Sequence, residues 1–185
     1  MSTVITPEIT GTYTLDPAHS RIGFVARHAM VTKVQGSYNE FVGTAHLDAD
    51  PSKSSISVTV QAASIDTRNA DRDNHLRSND FFAMETHPEI TFVSTSIEPA
   101  GGDTYNVTGD LTIKGVTKPV TVPFEYTGTA VDPFSKTRVG LEGAVTVNRK
   151  DWGVSFNAPL EAGGVLIGEK ITLEFDISAT KNQDR

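Results

Sequence analysis

Five histidines are the side chains of this sequence best suited to acid–base or metal chemistry. No two of them lie three to five residues apart, as the ligands of compact zinc motifs do. The sequence also has no cysteine, which excludes disulfides, thiolate metal sites and a thiol nucleophile. We therefore expect surface or hydrogen-bonded histidines and predict neither a metal nor a cofactor. The histidines are His19, His28, His46, His75 and His87.

A charged segment at residues 69–79 is the second place where polar chemistry could occur. Its sequence, NADRDNHLRSN, places Asp73 and Arg77 at i,i+4, a spacing that pairs them on a helix. The only large apolar residue of the segment is Leu76, so we predict one short helix over part of a sheet or across one end. Such a helix is either a solvated surface element or a polar rim that meets a ligand's head group. Arg149 offers a second possible rim.

Alternation of apolar and polar residues, typical of strands with one buried face, runs along most of the chain. It is most regular at residues 120–127 and 171–178. Pro123 lies on the polar face of its strand, which favours an edge or a bulge over a central position. The predicted strands are 12–15, 20–28, 41–48, 56–62, 90–97, 107–114, 120–127, 137–148 and 171–178.

About eight strands, mostly without helical crossovers, predict an antiparallel sheet that closes as a barrel or folds as a sandwich. A barrel removes the exposed sheet edges. Eight strands enclose a space that side chains can fill or that can hold one small ligand, so strand number leaves both possibilities open. The apolar inner face is predicted to contain Ile22, Phe24, Phe41, Val58, Val60, Phe92, Leu111, Ile113, Val120, Phe124, Val145, Leu173 and Phe175.

Length and charge set limits on domains and partners. A chain of 185 residues fits one domain. Its net charge of -7 repels phosphate backbones and anionic lipid surfaces, so nucleic acid is not expected as a partner. No stretch approaches the roughly 20 apolar residues of a membrane span. Residues 1–11 lack the basic start and apolar run of a secretory signal, which predicts a cytoplasmic protein.

Several segments, taken in their order along the chain, resemble the YceI-like family of polyisoprenoid-binding proteins. The similarity spans about residues 12–179, and Trp152 stands where phenylalanine is commoner in the family. The segments are LDPAHS at 15–20, SIDT at 64–67, RDNHLRS at 72–78, DFF at 80–82, GDLTIKGVTKPV at 109–120, VNR at 147–149 and WGV at 152–154.

The resemblance implies an all-β fold, an extended eight-stranded antiparallel lipocalin-like β-barrel with one short helix. The barrel domain would span residues 12–180, between tails at residues 1–11 and 181–185. Its channel would be hollow and would hold a long-chain polyisoprenoid, such as an isoprenyl phosphate or a quinone, or a similar lipid. The resemblance thus implies a non-enzymatic carrier and allows a homodimer. From the family motifs and the apolar inner face together, the predicted ligand-binding residues are Phe24, Phe41, Phe81, Phe82, Phe92, Leu111, Phe124, Trp152 and Phe175 for the chain, with His75 or Arg149 for the head.

Two other functions stay open at this point. One is an enzyme that acts on an isoprenoid lipid, with His75 and a neighbouring carboxylate as acid and base. The other is a packed barrel that serves as a protein interaction module.

Overall fold

The computed structural model describes residues 9–29, 31–78, 86–154 and 167–182. These residues form one antiparallel sheet of eleven strands and one α-helix. The strands are β1 (Gly11–Leu15), β2 (Arg21–His28), β3 (Thr32–Tyr38), β4 (Phe41–Leu47), β5 (Ser55–Gln61), β6 (Ile65–Asp66), β7 (Glu89–Pro99), β8 (Thr104–Ile113), β9 (Val116–Val131), β10 (Thr137–Asn148) and β11 (Ile167–Lys181), and the helix is α1 (Ala70–Arg77).

The sheet closes on itself because β11 pairs with β10 along one edge and with both β1 and β2 along the other. Along that second edge, Leu15 of β1 lies opposite Ala179, and Phe24 of β2 lies opposite Leu173. β1 and β2 are therefore two segments of one barrel strand. β3 and β4 together form the next barrel strand, since β3 pairs with β2 and β4 pairs with β1. β5 and β6 form the strand after that, since β5 pairs with β4 and β6 pairs with β3. Eleven segments thus make the eight-stranded closed barrel that was predicted.

Local sequence explains the break between β1 and β2. Pro17 begins a 3-10 turn that ends at His19, and the Asp16 side chain caps this turn by accepting a hydrogen bond of 3.0 Å from the Ala18 N–H. Proline has no N–H to donate to a neighbouring strand, so strand pairing stops there. The chain then rejoins β11 at Arg21.

The predicted alternation is clearest in β9, where inward and outward residues follow each other without exception over eight positions. Val120, Val122, Phe124 and Tyr126 are buried, and the residues between them are exposed. The β9–β10 ladder ends at Phe124, so Pro123 lies just beyond it, in a stretch of β9 that β10 does not pair. This position agrees with the edge predicted for that proline.

The sequence prediction missed β3. Its inward residues include only two sizeable apolar side chains, Val34 and Tyr38, with Gly36 between them, so the alternation is weak. Gly36 is required by packing, because a Cβ atom at this position would overlap the ring of Phe24 on the paired strand β2.

Helix α1 lies within the segment predicted to be helical, but the predicted pairing of Asp73 with Arg77 is wrong. The buried Asp73 carboxylate instead accepts hydrogen bonds from the backbone N–H and the hydroxyl of Thr67. Arg77 donates to the carbonyl oxygens of Ala63 and Ile65, at 2.9 and 3.2 Å. Both side chains therefore fasten the helix to the preceding chain rather than to each other, because desolvated carbonyl and N–H groups near the helix need partners.

Candidate functional site

An apolar cavity lies inside the barrel. Its volume is about 110 Å³, far more than the roughly 10–15 Å³ that one water molecule needs. It extends from Ile113, at the end of β8, to Val139, near the start of β10, which are at opposite ends of the barrel. Residues from both ends of the barrel therefore line one apolar cavity.

The lining is almost wholly apolar, and none of the described residues that line the cavity is charged. Apolar cavities of this kind stay dry and accept apolar molecules, because water inside them has too few hydrogen-bond partners. The lining residues are Leu15, Ile22, Gly23, Tyr38, Gly43, Thr44, Ala45, Leu47, Ile56, Val58, Val60, Ile90, Thr91, Phe92, Leu111, Ile113, Val120, Val122, Phe124, Val139, Leu141, Leu173, Phe175, Ile177 and Ala179.

Two phenylalanine rings pack against each other in the cavity wall. The ring centroids of Phe124 on β9 and Phe175 on β11 are 5.7 Å apart, although β10 separates these strands in the sheet. Gly143 on β10 permits this contact, because a Cβ atom there would lie 2.8 Å from Cδ1 of Phe124. The wall is thus shaped by a glycine opposite a large ring.

Three buried tyrosines adjoin the end of the cavity that faces the start of β10. Tyr13 and Tyr126 each lie two residues from a lining residue on the same strand, and Tyr105 shares their hydrophobic cluster. The hydroxyl of Tyr13 donates a hydrogen bond of 2.7 Å to the carbonyl oxygen of Ile9. The Tyr126 hydroxyl is buried and has no hydrogen-bond partner among the residues that the structure describes. Burial, with the nearby hydroxyls of Tyr13 and Tyr105, raises the pKa of Tyr126 to about 12.

Arg149 and Trp152 lie in a 3-10 turn at the opposite end and bind backbone carbonyl groups. The guanidinium of Arg149 donates to the carbonyl oxygens of Gly168 and Val154, at 3.0 and 2.6 Å. The indole N–H of Trp152 donates to the carbonyl oxygen of Leu111 at 2.9 Å. Both side chains are buried, and neither lines the cavity. Their contacts hold the chain after β10 against β8 and β11, which is a structural role.

The remaining predicted site residues fall into four groups. Phe92, Leu111, Phe124 and Phe175 line the cavity. Phe24 and Phe41 are buried in a second hydrophobic cluster, with Leu15 and Ile65, and do not line it. His75 is exposed on α1 and is not one of the lining residues. Phe81 and Phe82 lie outside the described residues.

A small ionic cluster, which the sequence analysis did not predict, lies outside the barrel beside Leu15. The Asp16 carboxylate accepts hydrogen bonds from Arg138 at 2.7 Å and from His19 Nδ1 at 2.8 Å. Arg138, and to a smaller extent His19, lowers the pKa of Asp16 to about 2. The i,i+3 spacing of Asp16 and His19 around a proline was a possible signal, but Arg138 is 122 residues away in sequence.

Membrane-spanning helices and metal clusters were sought in the same residues. No helix in the described ranges is long and apolar enough to cross a membrane. Nor do these ranges bring together three or more His, Asp or Glu side chains that could hold a metal ion.

Comparison with known proteins places these features in a family. The family model of the YceI-like domain matches residues 13–179. A UPF0312 protein of Staphylococcus aureus is 39% identical over 164 residues, covering 88% of this chain and 93% of the relative. A UPF0312 protein of Staphylococcus epidermidis is 39% identical over 166 residues, with the same coverage.

Solved structures show the same barrel. BcnA of Burkholderia cenocepacia superposes with a TM-score of 0.80 at 28% identity, covering 90% of this chain and 99% of that one. A polyisoprenoid binding domain from Saccharophagus degradans, implicated in plant cell wall breakdown, superposes with a TM-score of 0.71 at 13% identity, covering 92% and 98%. From the family match, the sequence identities and the shared barrel, the chain belongs to the YceI-like family.

Proposed function

We propose that this protein binds and carries a long-chain polyisoprenoid or a related lipid, with the apolar chain of the ligand inside the barrel and no chemical step on it. The observation that carries this proposal is the uncharged apolar cavity that extends between the two ends of the barrel. The Saccharophagus degradans domain of the same fold is a polyisoprenoid binding domain, which supports the ligand class. A carrier needs only such a cavity, whereas an enzyme also needs positioned acid and base groups.

The enzyme alternative receives no support from His75. This side chain is exposed on α1 and does not line the cavity, so it is poorly placed to act on a lipid bound there. A fully packed interaction module does not fit a barrel with a hollow interior. The cytoplasmic location and the homodimer stay predictions.

Burial of the ligand chain would provide the binding free energy. Each buried CH2 group contributes about 0.8 kcal/mol, so a five-carbon isoprene unit contributes roughly 4 kcal/mol before costs. Eight units would exceed the limit of about 18–21 kcal/mol seen for noncovalent affinities, so ordering of the chain and loss of translational freedom must offset part of the gain. We therefore expect affinity to rise with chain length and then to level off.

The charge distribution favours a neutral head group over a phosphate. The chain carries a net charge of -7, and none of the described lining residues is charged. A diphosphate inside this cavity would lose its hydration without gaining cationic partners, which is strongly unfavourable. A quinone, a ketone or an amide loses much less on the same transfer. We therefore place a neutral prenyl lipid, such as a prenylquinone, ahead of an isoprenyl phosphate.

Native mass spectrometry of the freshly purified protein, followed by solvent extraction, tests the proposal. We expect one long-chain lipid per chain, or the formation of a one-to-one complex when a prenylquinone is added. An apo mass that does not change on addition of such lipids would contradict the proposal.

A cavity-filling variant tests the location of the ligand. Leu111 faces the cavity, whereas Val93, on the neighbouring strand β7, is 51% exposed. In Leu111→Trp, the larger side chain should occupy free space and reduce lipid binding at least tenfold, with less than the full 1–3 kcal/mol cost of overpacking a filled core. Val93→Trp adds the same group to the outer face and should bind lipid normally. Equal binding by both variants would place the ligand elsewhere.

A further inference from the structure

The hairpin between β2 and β3 presents two positive charges and an apolar side chain to solvent at one end of the barrel. Arg27 on β2 and Lys33 on β3 lie directly opposite each other, and both are exposed. They lie on the outer face, because the buried Phe24 and Tyr38 are an odd number of residues away on the same strands. Val31, in the turn that joins the strands, is 74% exposed.

The neighbouring strand β11 adds a third positive charge. The ladder between β11 and β2 pairs Thr172 with Val25, and Lys170 and Arg27 are the next residues on the same side of their strands. Lys170 is also exposed. We call Arg27, Val31, Lys33 and Lys170 together the cationic tip.

The charges of the cationic tip have no acidic partner among the residues that the structure describes. Arg27 donates only to a backbone carbonyl oxygen of the turn, at 3.4 Å. The acidic residues of β11 nearest to Lys170 in sequence are engaged elsewhere, Glu169 with Lys150 at 2.6 Å and Glu174 with Arg21 at 3.1 Å. Like charges directly opposite on paired strands destabilise a sheet, so fold stability does not explain this arrangement.

The opposite end of the barrel is acidic. β10 runs from that end to the cationic tip, where its last residue, Asn148, pairs with Lys170. The turns 48–54, 100–103 and 132–136 lie at the acidic end and contain Asp48, Asp50, Asp103 and Asp132 against Lys53 and Lys136. Because salt screens charges beyond about 10 Å at 0.1 M, a surface that approaches the cationic tip meets its local charge rather than the net charge of -7.

We propose that the cationic tip docks this protein on the surface of an anionic lipid bilayer, with Val31 in the head-group layer and the three cations beside the lipid phosphates. Peripheral membrane binding combines buried apolar area with attraction of Lys and Arg to anionic lipids, and the tip offers both. Nucleic acid would use the cations but leave Val31 without a role. The docking goes beyond the proposed carrier function, because it requires no lipid inside the barrel.

The expected binding is reversible and depends on salt. Each Lys or Arg near an anionic membrane surface strengthens binding about fivefold, so the three cations together contribute roughly a hundredfold. Such binding would hold the barrel at a membrane in one orientation, with the acidic end directed away, and would still release it. A carrier that collects its ligand from a membrane needs both properties.

Vesicle flotation with the full chain tests the role of the charges. The wild type should bind vesicles of phosphatidylcholine that contain about 30% phosphatidylglycerol and should bind pure phosphatidylcholine vesicles weakly. Binding should be lost when salt is raised from about 0.1 M to about 1 M. The double variant Arg27→Gln/Lys33→Gln should bind the anionic vesicles at least tenfold more weakly. It should melt at or above the wild-type temperature, because it removes a repulsive pair.

Lys53→Gln/Lys136→Gln is the matched control. It removes the same charge from two exposed lysines at the acidic end, so the net charge falls equally in both double variants. The control should bind anionic vesicles within threefold of the wild type. Equal weakening by the two double variants would show that only net charge matters and would overturn the proposal.

A single fluorescent label tests the orientation. The chain has no cysteine, so Val31→Cys and Val131→Cys can each carry one polarity-sensitive dye. Val131 is 69% exposed, close to the exposure of Val31, but it ends β9 at the acidic end. Anionic vesicles should raise the emission of the dye at residue 31 and leave that at residue 131 unchanged. The reverse response would overturn the proposal.

The docking and the carrier function can fail separately. If the wild type does not bind anionic vesicles, or binds duplex DNA through the cationic tip instead, the docking proposal is wrong. The carrier function is tested without vesicles, by lipid binding in native mass spectrometry, and would stand after either result.

Discussion

Replacement of Arg149 by methionine separates a structural role for this side chain from the head-group role that the sequence suggests. In Arg149→Met, the carbonyl oxygens of Gly168 and Val154 lose their charged donor, while the apolar part of the side chain is approximately kept. Hydrogen bonds to charged groups contribute about 1.5–3 kcal/mol each. The cost of burying the guanidinium opposes this stabilisation, because burial disfavours the charged form and lowers the pKa of Arg149. We therefore expect a net loss of about 2–4 kcal/mol in the free energy of unfolding.

Urea unfolding followed by tryptophan fluorescence measures this loss directly. Trp152 is the only tryptophan of the chain, is 2% exposed and belongs to the same 3-10 turn. For a domain of this size, the loss corresponds to a decrease in melting temperature of roughly 5–15 °C.

Lys150→Met is the neighbouring control. Lys150 pairs with Glu169 at 2.6 Å, but both side chains are nearly half exposed, so its loss should cost less than about 1 kcal/mol. Lipid affinity of the folded Arg149→Met variant should equal that of the wild type. Wild-type stability together with a large loss of lipid binding would refute the structural interpretation and assign the guanidinium to the ligand.

Two further variants test the barrel itself. Arg138 holds the pKa of Asp16 at about 2, below its ordinary value of 3.8, so Asp16 stabilises the fold above pH 4 and this stabilisation is lost as the pH falls towards 2. In urea unfolding, the free energy of unfolding of the wild type should exceed that of Asp16→Asn by about 1–2 kcal/mol at pH 6 and by almost nothing near pH 2. A difference in this free energy that does not depend on pH would be inconsistent with the ion pair. Gly36→Ala should cost about 1–3 kcal/mol, because its Cβ atom overlaps the Phe24 ring. The Cβ atom of Gly168→Ala would meet nothing closer than 3.4 Å, so the free energy of unfolding of this variant should stay within about 1 kcal/mol of the wild type. Equal losses of stability in Gly36→Ala and Gly168→Ala would argue against the overlap with Phe24.

The strands with regular alternation could be predicted because their signal is local. In β9, each inward residue from Val120 to Tyr126 is large and apolar, so the period of two is visible in the sequence. β3 could not be predicted, because its central inward residue is a glycine and the alternation is therefore interrupted. Gly36 is needed to leave room for the ring of Phe24 on β2, a requirement that the local sequence does not show.

The wall of the site could be predicted only in part. Phe92, Leu111, Phe124 and Phe175 line the cavity, as the inward face of a barrel requires. Phe24 shows the same alternation in sequence but packs against Tyr38, at a centroid distance of 6.0 Å, in the second cluster. Whether an inward ring faces free space or another ring depends on the residues of other strands at the same level of the barrel.

The sequence by itself determined the all-β fold class, because alternation and turn residues act over a few positions. Alternation left a barrel and a sandwich both open, and the resemblance to the YceI-like family favoured the barrel. Only the tertiary structure decided the polar chemistry. It pairs Asp16 with Arg138, 122 residues away, satisfies Arg149 with backbone carbonyl groups, and leaves the Tyr126 hydroxyl buried without a described partner. The physical reason is that a hydrogen bond depends on the position of its partner within about 3 Å, and closure of the barrel, not sequence spacing, sets those positions.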